Sequence, residues 1–158
     1  MNVLVTGAAG FLGSHLMLRH LQSGDNVLGI DNYSSSKKDS LQIKAIREYD
    51  KHLLINGDIT KWGAIDGAVE DFSYQVKNCK FDIIYNMACP ASPPKYQEMP
   101  IETMDVCTQG VQNILTLANR HNAVVVHAST SEVYGDPSCS PQKETYRGNV
   151  NSYGPRAC

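Results

Sequence analysis

Five short apolar runs alternate along the chain with stretches in which apolar residues recur at helical spacing, a pattern of βαβ units. The runs predict strands at 2–6, 26–30, 52–56, 81–87 and 123–128. Between them the spacing predicts helices at about 11–23, ended by Gly24, then 40–49, 61–77 and 100–120. In the third helix Trp62, Ile65, Val69, Phe72 and Val76 form one buried stripe; in the fourth, Met104, Cys107, Val111, Ile114 and Ala118 do. Segments 31–40, 90–100 and 129–158 read as loops, the second because it is rich in proline. No internal repeat and no low-complexity segment interrupts the alternation.

Strands separated by helices form a parallel sheet covered on both faces. The first strand is followed by Gly7-Ala8-Ala9-Gly10-Phe11-Leu12-Gly13, which opens the first helix. A pyrophosphate at such a turn needs main-chain N–H groups, close backbone approach and the positive end of a helix dipole. Glycine permits the close approach, and a third glycine lets helix pack on strand. The expected fold is therefore doubly wound, Rossmann-like, with strand order 3-2-1-4-5. Asp31 ends the second strand, 18 residues after Gly13. That position suits a carboxylate that accepts from a ribose 2′-OH and repels a 2′-phosphate, so NAD is expected rather than NADP. Lys37 and Lys38 are within reach of a phosphate, but the pair reads more simply as a solvated loop. Ligands in such sheets lie beyond the carboxyl ends of the strands, which directs attention to 7–13, 31–37, 57–59, 87–96 and 129–136.

The 158 residues suffice for one domain with a sizeable core. A net charge of −2 without a longer basic run argues against nucleic acid and anionic membranes as partners. No run of 18 apolar residues suggests a membrane span, and a strand beginning at residue 2 or 3 leaves no room for a signal peptide. Cysteines 79, 89, 107, 139 and 158 form no C-x-x-C pair and no metal spacing, so reduced thiols in a cytoplasmic protein and no metal site are expected. His127, in the fifth strand, reads as a satisfied core residue.

Six runs carry a resemblance to a known family. They are Thr6–Leu16, Asp31-Asn32-Tyr33-Ser34, Gly57-Asp58-Ile59, Ala91-Ser92-Pro93-Pro94, Ser129–Pro137 and Gly154–Cys158. Together they resemble the extended short-chain dehydrogenase/reductases acting on nucleotide sugars, most of all the UDP-glucuronate decarboxylase branch. The likeness covers the whole chain but only the N-terminal part of such an enzyme, so the sheet is expected to be incomplete on its C-terminal side. It implies an NAD cofactor, UDP-glucuronic acid as substrate and a 4-keto intermediate. It also implies a homodimer, formed through the 100–120 helix and the helix carrying Tyr-x-x-x-Lys.

By that resemblance Gly7, Gly10, Phe11, Leu12, Gly13, Asp31, Asn32, Tyr33, Ser34 and Lys37 lie on the cofactor. Asp58 and Ile59 contact adenine, and Ala88 lies by the pyrophosphate or nicotinamide. Pro93 and Tyr96 face the substrate. Thr130 holds the C4 oxygen, and Glu132 serves as an acid–base carboxylate near C5. Ser131 stands where the related 4,6-dehydratases have an aspartate that protonates a leaving hydroxyl; a decarboxylase expels CO2 and needs no such acid. Cys107 stands where relatives often have asparagine. In the family, Gly-Pro-Arg-Ala-Cys is followed by the catalytic Tyr-x-x-x-Lys helix, whereas this sequence runs to Cys158. Its one such spacing, Tyr33 to Lys37, reads as a coincidence. The 158 residues are thus expected to be a truncated NAD-binding domain, catalytically incomplete and without a native dimer. A 4,6-dehydratase or epimerase relative and a non-catalytic NAD(H)-binding fragment remain the alternatives.

Overall fold

The structure, a computed structural model, describes residues 1–153 and divides into two compact units, Met1–His127 and the residues from Ala128 on. The first unit carries β1 (Asn2–Thr6), α1 (Phe11–Gln22), β2 (Asn26–Asp31), α2 (Leu41–Ile46), β3 (His52–Asn56) and α3 (Trp62–Gln75). These are followed by β4 (Ile83–Asn86), α4 (Pro93–Glu98), α5 (Pro100–Asp105), a π-helical turn at Val106–Gly110, α6 (Val111–His121) and β5 (Val124–His127). All strand pairs are parallel, in the order β3-β2-β1-β4-β5, as the alternation predicts.

Alternate residues of the central strands feed two cores. Leu4, Leu28, Ile30 and Ile84 point to α3 and α6, where Ile65, Phe72, Ile114 and Leu117 complete one cluster. Val3, Val5 and Val27 point the other way, onto Met17 and Leu21 of α1 and Ile43 and Ile46 of α2. Phe72 and Phe81 stack with ring centroids 5.7 Å apart, joining α3 to the start of β4. Gly29 lets α1 sit tight on the sheet: a β-carbon there would lie 2.7 Å from the Met17 sulfur. The α3 stripe falls where the spacing puts it, with Ile65 and Phe72 buried and Trp62, Val69 and Val76 packed partly against them.

The structure corrects or refines several expectations. The loop at 90–100 contains α4, because prolines at the first helical positions lack only N–H groups that have no intrahelical partner there. The 100–120 helix runs without a break from Pro100 to His121, but it holds a π turn at Val106–Gly110. The π turn lays Gly110 against Ile59, where a β-carbon would lie 2.9 Å from Ile59 Cδ1 and would require that side chain to shift. Val106 therefore packs on the core, while Cys107 and Met104 are exposed. The loop after β5 holds a 3-10 turn at Ser131–Tyr134.

On β5, Val124 and Val126 are 63% and 43% exposed, and among the described residues only β4 pairs with this strand. Among the described residues, β5 is therefore an edge strand with part of its apolar side chains exposed. His127 is likewise exposed rather than core, although its Nδ1 accepts from Asn86 Nδ2 at 3.1 Å. No helix among the described residues is long and apolar enough to cross a membrane.

In the second unit, Asp136 N donates to Asn149 O and Asn149 N to Tyr134 O, closing a bridge between Gly135 and Asn149. Gly135 has φ +61°, and a β-carbon there would meet the Asn149 carbonyl oxygen at 2.0 Å, so the bridge requires glycine.

Candidate dinucleotide cleft

The turn after β1 is built by contacts that exclude side chains. Gly7 has φ +63°, and a β-carbon on it would lie 2.7 Å from the Met87 carbonyl oxygen. A β-carbon on Gly13 would come within 2.1 Å of the Gly7 carbonyl oxygen. Gly10 N donates to Gly7 O at 3.0 Å and Ser14 N to Gly10 O at 3.0 Å, closing the turn into α1. Gly10 is the N-cap of α1 and has no side chain to cap it. Among the described residues, the amides of Phe11, Leu12 and Gly13 donate to no group. Unpaired amides at a helix start form an anion site of the kind a pyrophosphate needs.

Beyond the strand ends lies a cleft of about 250 Å³, lined by Gly7, Gly10, Asp31, Asn32, Asp58 and Ala88 among others. Asp31, buried at the end of β2, is held from three sides. Its Oδ2 accepts from Ala9 N at 2.9 Å, and its Oδ1 from Tyr33 N at 2.7 Å and Ser36 Oγ at 2.8 Å. An ionised carboxylate has about four acceptor sites, so Oδ2 retains one for a hydroxyl. Asp58 Oδ1 accepts from the amide and hydroxyl of Thr60, which shapes the β3–α3 loop. Ile59 lines the cleft; its side chain belongs to the core, and its carbonyl accepts from Asn113 Nδ2 at 2.8 Å.

Behind the cleft floor a buried hydroxyl organises the β4 end. Thr6 Oγ1 donates to Asn86 Oδ1 at 2.6 Å and accepts from Met87 N and Ala88 N, each at 3.2 Å. This fixes the path of the chain at Ala88, next to Gly7.

Most of the cofactor-side residues expected from sequence meet in this cleft: Gly7, Gly10, Asp31, Asn32, Ser34, Asp58, Ile59 and Ala88 all line it. Phe11, Leu12 and Gly13 lie just outside, at the first turn of α1, with Phe11 76% exposed. Tyr33 and Lys37 are not in the lining. Tyr33 takes φ +59° and packs its ring against the α1–α2 core, under the Lys38 ammonium at 5.0 Å. Burial, and secondarily the Asp31 charge, push its phenol above the ordinary value, the opposite of what an active-site phenolate requires. Lys37 is exposed.

Pro93 and Tyr96 sit on α4, outside the lining. Thr130, Ser131 and Glu132 lie together on one turn of the second unit, where Thr130 Oγ1 caps it by accepting from Glu132 N at 3.2 Å.

Lys61 and the α5 wall of Met99, Glu102 and Asp105 also line the cleft and were not expected from sequence. Glu102 and Asp105 are three apart and share a helix face, a signal available in the sequence. With Asp31 and Asp58 they make the lining acidic, with Lys61 its one cation among the described residues. Such a wall suits hydroxyls and opposes an additional phosphate. Among the described residues no group of three metal-ligating side chains is gathered.

Turn, carboxylate and sheet order together define a dinucleotide-binding α/β fold. The family described as GDP-mannose 4,6 dehydratase matches residues 4–157, and the chain belongs to that family of NAD-dependent epimerases and dehydratases. It is 42% identical over 156 residues to UDP-glucuronic acid decarboxylase 1 of Danio rerio, covering 99% of this chain and 34% of that protein. It is 42% identical over 159 residues to UDP-glucuronic acid decarboxylase 6 of Arabidopsis thaliana, covering 100% of this chain and 42% of that protein. The chain thus spans between a third and a half of these relatives. Among solved structures, the epimerase Mth375 of Methanothermobacter thermautotrophicus superposes with a TM-score of 0.76 at 26% identity, covering 99% of this chain and 43% of that one. The NAD complex of UDP-glucose 4-epimerase from Thermus thermophilus gives 0.74 at 27% identity, covering 99% of this chain and 46% of that one.

Proposed function

We propose that this chain is the NAD-holding part of a UDP-glucuronate decarboxylase. The observation that carries the reading is the meeting, in one cleft, of the Gly7–Gly13 cradle with the Asp31 carboxylate. Identity to decarboxylases along the whole chain supports the substrate.

NAD, when bound, supplies reversible hydride acceptance at C4 of the sugar, and the resulting 4-keto group lies β to the C5 carboxylate, so CO2 can leave. The chain's own residues grip and orient. The amides of Phe11 to Gly13 face the pyrophosphate without competing side chains. Asp31 Oδ2 accepts from the adenosine 2′-OH, and the acidic lining disfavours a 2′-phosphate. Asp58 and Ile59 border the adenine, and Ala88 the inner end of the cofactor. On the second unit, Thr130 donates to the C4 oxygen, Glu132 handles a proton near C5, and Ser131 leaves the site without the acid a dehydratase requires.

A hybrid tests the reading. This chain replaces the matching N-terminal segment of the zebrafish decarboxylase, and CO2 release from UDP-glucuronic acid is measured. The hybrid is expected to turn over. One that folds and binds NAD+ but releases no CO2 contradicts the substrate assignment. Formation of a 4-keto-6-deoxy sugar from UDP-glucose would instead favour the 4,6-dehydratase alternative.

A further inference from the structure

Two cysteines separated by 18 positions in sequence meet at the wall of the cleft. Cys89 Sγ and Cys107 Sγ are 3.7 Å apart. Cys89 lines the cleft in the loop after β4; Cys107 sits on the exposed π turn, beside the cleft-lining Val106. The four described cysteines are all free, and no other sulfur pair among them is in contact.

We propose that Cys89 and Cys107 form a reversible dithiol–disulfide site that responds to hydroperoxides. Van der Waals contact leaves the sulfurs roughly 1.7 Å from bonding distance. One partner lies on a loop free of secondary structure, which can supply that movement.

The roles of the two thiols differ. Burial, with the Cys107 charge and hydrogen bond added, pushes the Cys89 thiol up to about 12, so it stays protonated at neutral pH. Cys107 therefore reacts first. Its sulfur attacks a peroxide oxygen, the S–O bond forms as O–O breaks, and the departing hydroxide or alkoxide takes a proton. Sulfur loses two electrons and the peroxide gains them, leaving a sulfenic acid at Cys107. The Cys89 sulfur attacks, S–S forms, S–O breaks, and hydroxide leaves with the Cys89 proton as water. With hydrogen peroxide the sum is two thiols and one peroxide to one disulfide and two waters. The inference is independent of which cofactor fills the cleft.

The probe is hydrogen peroxide on the full 158-residue chain, followed by alkylation of remaining thiols and tryptic mass spectrometry. Cleavage after Lys80, Lys95 and Arg120 puts the two cysteines in separate peptides, 81–95 and 96–120. The expected product is these peptides joined, about 2 Da lighter than their sum, and separated by dithiothreitol. In Cys107→Ser, Cys89 should remain fully alkylated. The proposal is overturned if Cys107 is carried to sulfinate while Cys89 stays alkylatable. It is equally overturned if cross-links involving Cys79, Cys139 or Cys158 form as readily in the wild-type chain, a result that does not depend on the variant folding.

Discussion

Gly13 and Gly7 touch so closely that a single methyl group does not fit between them: a β-carbon on Gly13 would lie 2.1 Å from the Gly7 carbonyl oxygen and 2.8 Å from its carbon. Both obstructing atoms are backbone, so the neighbour cannot rotate away. Gly13→Ala must push α1 off the turn. It is expected to cost about 3 kcal/mol of stability by urea unfolding, at the upper end of ordinary overpacking, and to abolish measurable NAD+ binding.

The glycines of α3 behave oppositely. Gly63 and Gly67 carry no crowding, since a β-carbon on either would meet nothing within 4 Å. Gly63→Ala and Gly67→Ala should each stabilise the chain by roughly 0.5–1 kcal/mol through helix propensity. Urea midpoints check the sign directly.

Thr6 holds the β4 end through one hydroxyl with three partners. Thr6→Val keeps the shape and strands two amides and the Asn86 oxygen. Leaving buried polar groups unpaired costs on the order of 2 kcal/mol, and the Ala88 side of the cleft should loosen. Increased amide hydrogen exchange at Met87 and Ala88 is the expected signature.

Asp31→Ala removes the carboxylate that opposes a 2′-phosphate. Under the proposed function, the ratio of NADP+ to NAD+ dissociation constants should fall toward one. An unchanged ratio removes Asp31 from the ribose role, whatever happens to overall affinity.

The pH dependence has a definite sign at His121. Burial first, then the Arg120 and Lys80 charges, hold its imidazole below the ordinary value of 6.5, and its Nδ1 accepts from Phe81 N at 3.3 Å. The unfolded chain therefore binds the proton more readily. The stability His121 contributes is full above about pH 6.5 and is lost as pH falls through its lower folded-state value. His121→Gln should flatten the stability profile in that window; a profile as steep as the wild type's assigns the slope to other groups.

The sheet order and the glycine turn were legible because strand runs and turn chemistry are local signals. The cleft residues of the β1, β2, β3 and β4 ends followed from them by position. What was not legible arises from contacts between distant segments. Gly110 meets Ile59 at the π turn, and Val106 rather than Cys107 packs on the core. No periodicity announces that contact. Pro93-Pro94 reads as a loop because proline breaks helices, yet at the first helical positions it starts one. Tyr33, within a cofactor-side run in sequence, takes a positive φ and packs against the α1–α2 core.

Assembly of the glycine cradle and Asp31 into one working site underlies every cofactor role proposed for this chain. Calorimetric titration of the purified 158-residue chain with NAD+, after circular dichroism has established that it is folded, measures that assembly. Saturable binding in the micromolar range, with NADP+ weaker, is the expected result. A folded chain that takes up no NAD+ contradicts it.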